Sequence, residues 1–70
     1  MLFIDHGLGK GMYTFVVSNP DGKQVYKTES YSQENVVTED LSRLPEGFYI
    51  LMFKHENNPE KYIWKYILIR

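Results

Sequence analysis

The alternation of apolar and polar positions along the chain predicts two β-hairpins. Residues 12–18 and 23–29 are rich in aromatic and β-branched side chains, and the turn-forming sequence NPDG separates them. Residues 48–55 and 61–69 form a second pair around ENNPE. We place Pro59 in that loop because proline has no N–H to donate to a sheet. Residues 30–33 read as a polar connection, and residues 35–39 as a short strand between the hairpins.

The sequence DLSRLPEG at residues 40–47 predicts a tight turn before the second hairpin. Asp40 and Ser42 can each hydrogen-bond to the nearby backbone, and the proline and glycine that follow prevent a helix from continuing. Leu41 and Leu44 are three residues apart, so they point the same way and close one end of the core.

These elements predict an all-β fold in one domain, residues 1–70. No window shows the apolar spacing of three and four residues that is typical of an amphipathic helix. Four or five short antiparallel strands indicate a small immunoglobulin-like β-sandwich built from hairpins. Residues 1–11 are either a flexible segment, as GLGKG suggests, or a short edge strand at residues 2–4.

The second hairpin is apolar on both of its sides, which a strand with one solvated face should not be. In residues 48–53 the even and the odd positions face opposite ways, and both sets are apolar. We therefore predict that this hairpin contacts a further surface. The rest of the chain offers little to cover both sides, which leaves a second copy of the chain, giving a homodimer when isolated, or another domain. The alternative is that its aromatic rings lie flat on the surface with their hydroxyl groups in water.

Charge and composition exclude several functional classes. The net charge is −1, with eight basic and nine acidic residues spread along the chain, so there is no electrostatic footprint for nucleic acid. No apolar run approaches the roughly 18 residues of a membrane-spanning helix. The chain has no cysteine, which excludes disulfide bonds and thiolate metal sites.

The chemically reactive residues form no recognisable catalytic pattern. Asp5 and His6 are adjacent, but no second histidine lies at a ligand spacing from His6, so a solvated pair is expected. We expect His55 to be a half-exposed cap at a strand end, and Glu39 and Asp40 to be solvated charges beside a turn. The sequence therefore predicts no catalytic residue, no metal, no cofactor and no enzymatic activity.

One strand carries a row of aromatic residues. Tyr62, Trp64 and Tyr66 alternate along it, so they share one face at a spacing of about 7 Å. With Tyr49 and Phe53 they make up what we call the aromatic contact face. Such rows usually belong to a core or an interface, and stacking against sugar rings is the alternative, by analogy with base stacking on a sheet.

From Val16 to Arg70 the arrangement of motifs resembles the C-terminal sorting domain of proteins exported by the type IX secretion system. The resemblance rests on NPDGKQVYK at the first turn, EDLSRLPEGFYIL before and within the fourth strand, and KYIWKYILIR in the last strand. The residues that match the family's sorting motif are Gly22, Lys23, Pro45, Gly47, Tyr49 and Lys65.

The resemblance implies a non-enzymatic recognition module of a secreted or cell-surface protein that travels through the periplasm. An outer-membrane translocon would recognise the folded domain as a sorting signal, and a sortase-like enzyme would then cleave it off. Pro45 would fix the chain's entry into the strand, Gly47 would allow close approach of a backbone, and Lys23 would be open to contact at a turn. The alternatives are a carbohydrate-binding or adhesion module, and a small secreted or periplasmic β-sandwich with another partner.

Overall fold

A computed structural model describes residues 1–69, which form six antiparallel strands in two sheets. The strands are β1 (Leu2–Asp5), β2 (Gly11–Ser18), β3 (Gln24–Ser32), β4 (Val36–Glu39), β5 (Gly47–His55) and β6 (Asn58–Leu68). The larger sheet has the order β3-β2-β5-β6, and β1 pairs with β4 in the smaller sheet. The predicted all-β sandwich is confirmed. It has six strands rather than four or five because residues 2–5 form a strand of their own.

The turn of the first hairpin, between β2 and β3, forms at the predicted NPDG sequence. The side-chain Oδ1 of Asn19 accepts the N–H groups of Asp21 and Lys23, at 3.1 and 2.9 Å. Gly22 donates its N–H to the Asn19 carbonyl and has a φ of +85°. Strand β3 continues to Ser32, so the polar connection predicted at residues 30–33 is wrong. Residues 30–32 pair with residues 11–13 of β2, with Ser30 and Tyr31 exposed at the edge of the sheet and Ser32 buried.

The second hairpin joins β5 to β6 through a turn shorter than expected. Only Glu56 and Asn57 lie between the strands, and Pro59 belongs to β6 rather than to the loop. The register pairs Phe53 with Tyr62 and then His55 with Asn58, so Lys54 alone lies opposite residues 59–61. This bulge, on a strand at the edge of the sheet, accommodates a residue that has no N–H.

The core lies between the two sheets. Phe15, Val17, Leu51 and Phe53 from the two central strands of the larger sheet are fully buried there. Leu41 closes one end of the core, as predicted, and its carbonyl accepts the N–H of Leu44 at 3.1 Å. The same turn is fixed by Asp40, whose Oδ1 accepts the Ser42 N–H at 3.0 Å.

The opposite side of the larger sheet is exposed and apolar along β5 and β6. We call this side the outer apolar face, formed by Phe48, Ile50, Met52, Ile63 and Ile67. Phe48 and Ile67 are register partners with 63% and 55% of their surface exposed, and Ile63, opposite Met52, is 65% exposed. The β5–β6 hairpin therefore buries one of its two apolar sides and presents the other. Within residues 1–69 no helix has the length and apolar character to cross a membrane.

Candidate functional site

The sequence LPEGFY forms a locked turn at the entry to β5. The Tyr49 hydroxyl donates a hydrogen bond to the carbonyl of Pro45 at 2.5 Å, and the Tyr49 side chain is buried. A tyrosine that bonds back to the backbone a few residues upstream fixes the corner in many β-sandwiches. Gly47 lies between them with a φ of +155°, a conformation that side chains rarely adopt. The corner thus accounts for the spacing of proline, glycine and tyrosine in this motif.

The remaining sorting-motif residues lie in two places. Gly22 and Lys23 are exposed at the turn between β2 and β3. Lys65 is exposed on the outer side of β6, opposite Ile50 of β5. A shallow cavity of about 400 Å³ joins these regions, because Pro20 of the first turn lines it together with Lys65. The space next to Gly47 where a Cβ would lie is open. An external backbone therefore has room to approach there, and its close approach stays a prediction.

The aromatic contact face points into the sandwich. Tyr49 pairs with Tyr66 and Phe53 pairs with Tyr62, so these residues share one side of the sheet, as parity predicted. That side is the inner one: Tyr49 and Phe53 are buried in the core, and Trp64 and Tyr66 are half-buried against it. Tyr49 and Phe53 are therefore not available as surface. Tyr62 is 44% exposed, since the smaller sheet does not cover it.

Glu39, predicted to be a solvated charge, is instead buried with 4% of its surface exposed. Its carboxylate accepts hydrogen bonds from the Tyr13 and Tyr26 hydroxyls, at 2.7 and 2.8 Å, and from Thr28 Oγ1 at 2.6 Å. Burial, followed by the interaction with Glu39, raises the pKa of Tyr13 above its usual 10.0. The prediction of a solvated Glu39 was wrong because it relied on the charged neighbour Asp40. Glu39 shares a side of β4 with the buried Val37, and this alternation in the sequence indicates a buried position.

A comparison with protein families decides between the readings of these motifs. The model of the secretion system C-terminal sorting domain matches residues 1–69. The chain belongs to this family. The match begins well before Val16, so the first two strands are part of the sorting domain rather than an addition to it. No curated protein and no solved structure matches the chain.

Domains of this family are non-catalytic sorting signals of the type IX secretion system, carried by proteins destined for secretion or the cell surface. The predicted recognition module is therefore confirmed, and a protein of the secretion machinery is the class of partner. The match gives no support to self-association or to carbohydrate binding.

His55 of the sorting domain is fully buried rather than a half-exposed cap. Its Nδ1 accepts the Asn57 N–H at 3.0 Å, and its Nε2 lies 3.2 Å from the carbonyl oxygen of Gly9. A carbonyl can only accept, so this network assigns a proton to Nε2 and an acceptor role to Nδ1. The prediction failed because the covering loop comes from the other end of the chain, where the Asn57 amide also binds the carbonyls of Leu8 and Lys10.

His6 lies beside His55 and is held in the same way. The two rings are 5.0 Å apart between centroids. The Nδ1 of His6 accepts the Leu8 N–H at 3.0 Å, so its Nε2 carries the proton and donates to Ser32 Oγ at 3.0 Å. Burial and then His55 lower the pKa of His6, and Asp5 opposes this shift. Both nitrogens of each ring are engaged, and within residues 1–69 no three His, Asp or Glu side chains converge as metal ligands.

Proposed function

We propose that this sorting domain is recognised as a folded unit by a protein of the outer-membrane export machinery, after the attached polypeptide has reached the periplasm. The observation that carries the proposal is the exposed outer apolar face. A contiguous apolar patch of this kind on a small domain usually marks a protein contact. In this role the domain needs no catalytic residue, cofactor or metal.

The sorting-motif residues surround this face or support it. Phe48 lies between Gly47 and Tyr49, so the locked corner at Pro45 holds its ring on the outer side of β5. Lys65 places a positive charge within the apolar face, opposite Ile50. The proposed partner therefore offers an apolar surface with an acidic group near Lys65, which would favour correct orientation.

Lys23 and Gly22 mark the second contact. The turn that carries them lies at the end of the outer apolar face, since Pro20 and Lys65 line one cavity. A single partner surface can reach both regions. In the proposed complex the first turn fixes the register of the partner, while the isoleucine-rich part of the face supplies most of the buried area.

The test is to fuse the sorting domain to a carrier protein in a bacterium with a working type IX system and to measure carrier at the cell surface. The wild-type domain should export the carrier. Burying one isoleucine is worth about 1.5–3 kcal/mol, so Ile63→Lys should reduce export about tenfold or more. Tyr31→Lys is the matched control, because Tyr31 is exposed on the edge strand β3. Carrier retained with the wild-type domain, or exported equally with Ile63→Lys, would contradict the proposal.

The same face accounts for the homodimer that we propose for the isolated domain. Two copies related by a two-fold axis would bury equivalent isoleucines against each other and form one continuous apolar layer. Sedimentation over a range of concentrations should show a dimer for the wild-type domain and a monomer for Ile63→Lys. A wild-type domain that stays monomeric at high concentration would remove the dimer and leave the export proposal standing.

A further inference from the structure

The smaller sheet leaves a gap beside β1, on the inner side of β6. Its strand β4 packs on β2 and β3, where Glu39 accepts the hydroxyls of Tyr13 and Tyr26. Its strand β1 lies beside β5, since the ring of His6, the residue that follows β1, stacks on Phe53 at 5.3 Å between centroids. Within residues 1–69 no strand occupies the next position, above β6.

An open groove of about 450 Å³ fills this position. One wall consists of residues 2–6, that is, β1 and the residue after it. Phe53, Tyr62 and Trp64 line the groove from the larger sheet. Trp64 is half-buried and Tyr62 is 44% exposed, so an inner, core-facing surface is left partly uncovered. The groove lies on the opposite side of the larger sheet from the outer apolar face.

The edge of β1 that faces away from β4 has no neighbouring strand. His6 donates its N–H to the Asn35 carbonyl at 2.8 Å, on the side of β4. Main-chain groups alternate in direction along an antiparallel strand, so those of Ile4 also point toward β4. The N–H and C=O groups of Phe3 and Asp5 therefore point the other way, toward the unpaired edge.

We propose that this groove accepts an extended segment of a separate polypeptide, which pairs with β1 as a third strand of the smaller sheet. The segment would bond to the main-chain groups of Phe3 and Asp5 and turn alternate apolar side chains onto Trp64 and Tyr62. Strand addition to a free edge is a common mode of peptide recognition. A strand also matches the site better than a compact ligand, because the unpaired groups recur at every second residue of β1.

The charge of the groove specifies one further property of the segment. Asp5 is exposed at the groove, and within residues 1–69 its carboxylate forms no ion pair with lysine or arginine. A lysine or arginine in the added strand, next to Asp5, would be attracted by this charge. The proposed segment therefore alternates apolar and polar residues and carries a basic residue among the polar ones.

The probe is a short capped peptide that alternates valine with threonine and has one lysine near its centre. Titration into the sorting domain should shift the emission of Trp64 to shorter wavelength in a saturable way, because the peptide excludes water from its ring. Hydrogen exchange followed by NMR should slow by about tenfold or more at the amides of Phe3 and Asp5, which become paired. The same peptide with a central proline lacks the required N–H and should not bind.

Variants separate strand addition from other kinds of binding. Asp5→Asn should lower the affinity for the lysine peptide about twofold to fivefold, the range for an exposed ion pair. It should leave the affinity for a peptide with serine in place of lysine unchanged. Asp21→Asn, which removes an exposed carboxylate in the first turn, is the matched control and should affect neither peptide. The Ile63→Lys variant should bind both peptides with wild-type affinity, because Ile63 lies on the opposite side of the larger sheet. Peptide binding therefore tests the groove separately from the export experiment.

Three results would overturn the proposal. One is the absence of a saturable change in Trp64 emission. Another is binding that leaves the exchange of the Phe3 and Asp5 amides unchanged, which would place the peptide elsewhere. The third is a saturable response to an oligosaccharide panel but not to the peptides, which would assign the groove to sugar stacking.

Discussion

Removing one hydroxyl group from the core tests whether the buried Glu39 carboxylate depends on its donors. Tyr13→Phe keeps the ring, which packs on Phe53 at 5.5 Å between centroids, and removes the 2.7 Å hydrogen bond to Glu39. Tyr13 is 7% and Glu39 4% exposed, so water cannot easily replace the lost donor. The carboxylate would remain buried with two donors, those of Tyr26 and Thr28.

The expected cost is a large part of the stability of so small a domain. A hydrogen bond to a charged group contributes about 1.5–3 kcal/mol. The whole domain has about 3.5–10 kcal/mol if its stability per residue is ordinary. With a urea dependence of about 1 kcal/mol per molar, the unfolding midpoint of Tyr13→Phe should fall by about 1.5–3 M.

Urea unfolding followed by Trp64 fluorescence measures this change. Tyr26→Phe should cost less, about 0.5–1.5 kcal/mol, because Tyr26 is only half-buried and water can take its place. Tyr31→Phe, at an exposed tyrosine, is the control and should change the free energy of unfolding by less than about 0.5 kcal/mol. If Tyr13→Phe were as mild as Tyr31→Phe, the view that these hydroxyls stabilise the buried charge would be refuted.

Gly47, His6 and Tyr13 each affect the stability of the domain in a way that one substitution can measure. Gly47→Ala should lower the free energy of unfolding by about 1–3 kcal/mol, measured by thermal unfolding, because a φ of +155° strains any side chain; wild-type stability would mean that the corner relaxes. The pKa of His6 is lowered in the folded domain, so the unfolded chain binds a proton first as the pH falls. The contribution of His6 to the free energy of unfolding should therefore be complete above pH 6.5 and decrease below it. In His6→Gln the urea midpoint should depend less on pH in this acidic range. The pKa of Tyr13 is raised, which has the opposite sign. The contribution of the Tyr13 hydroxyl to the free energy of unfolding should be complete below pH 10.0 and be lost above it. Tyr13→Phe should lack this part of the loss at high pH.

Local turn chemistry was predictable from the sequence because the residues that fix a turn lie within it. The NPDG turn depends on Asn19, Gly22 and their immediate neighbours, and the Leu41–Leu44 turn depends on its own short segment. Side-chain parity within the last two strands was predictable for the same reason. The family could be recognised because several of its motif residues belong to these locally determined features.

The environments of Glu39 and His55 could not be read from their neighbours in sequence. The three donors of Glu39 come from β2 and β3, and the cover over His55 comes from the loop after β1. Nothing near Glu39 in the sequence distinguishes a buried carboxylate from a solvated one, apart from its alternation with Val37. Pro59 was misplaced for a similar reason, since a bulge on an edge strand depends on the register between two strands.

The central position of β2 also has a kinetic consequence. One neighbour, β3, follows it directly through a tight turn, whereas the other, β5, pairs Tyr13 with His55 from near the far end of the chain. Each hairpin can form by itself, but pairing β2 with β5 requires the chain between them to close into a loop, and the entropy cost of that closure comes before the new contacts form. Closure of the larger sheet should therefore be the slow step of folding. A chain delivered beginning with its N-terminus would stay open and aggregation-prone until β5 arrives.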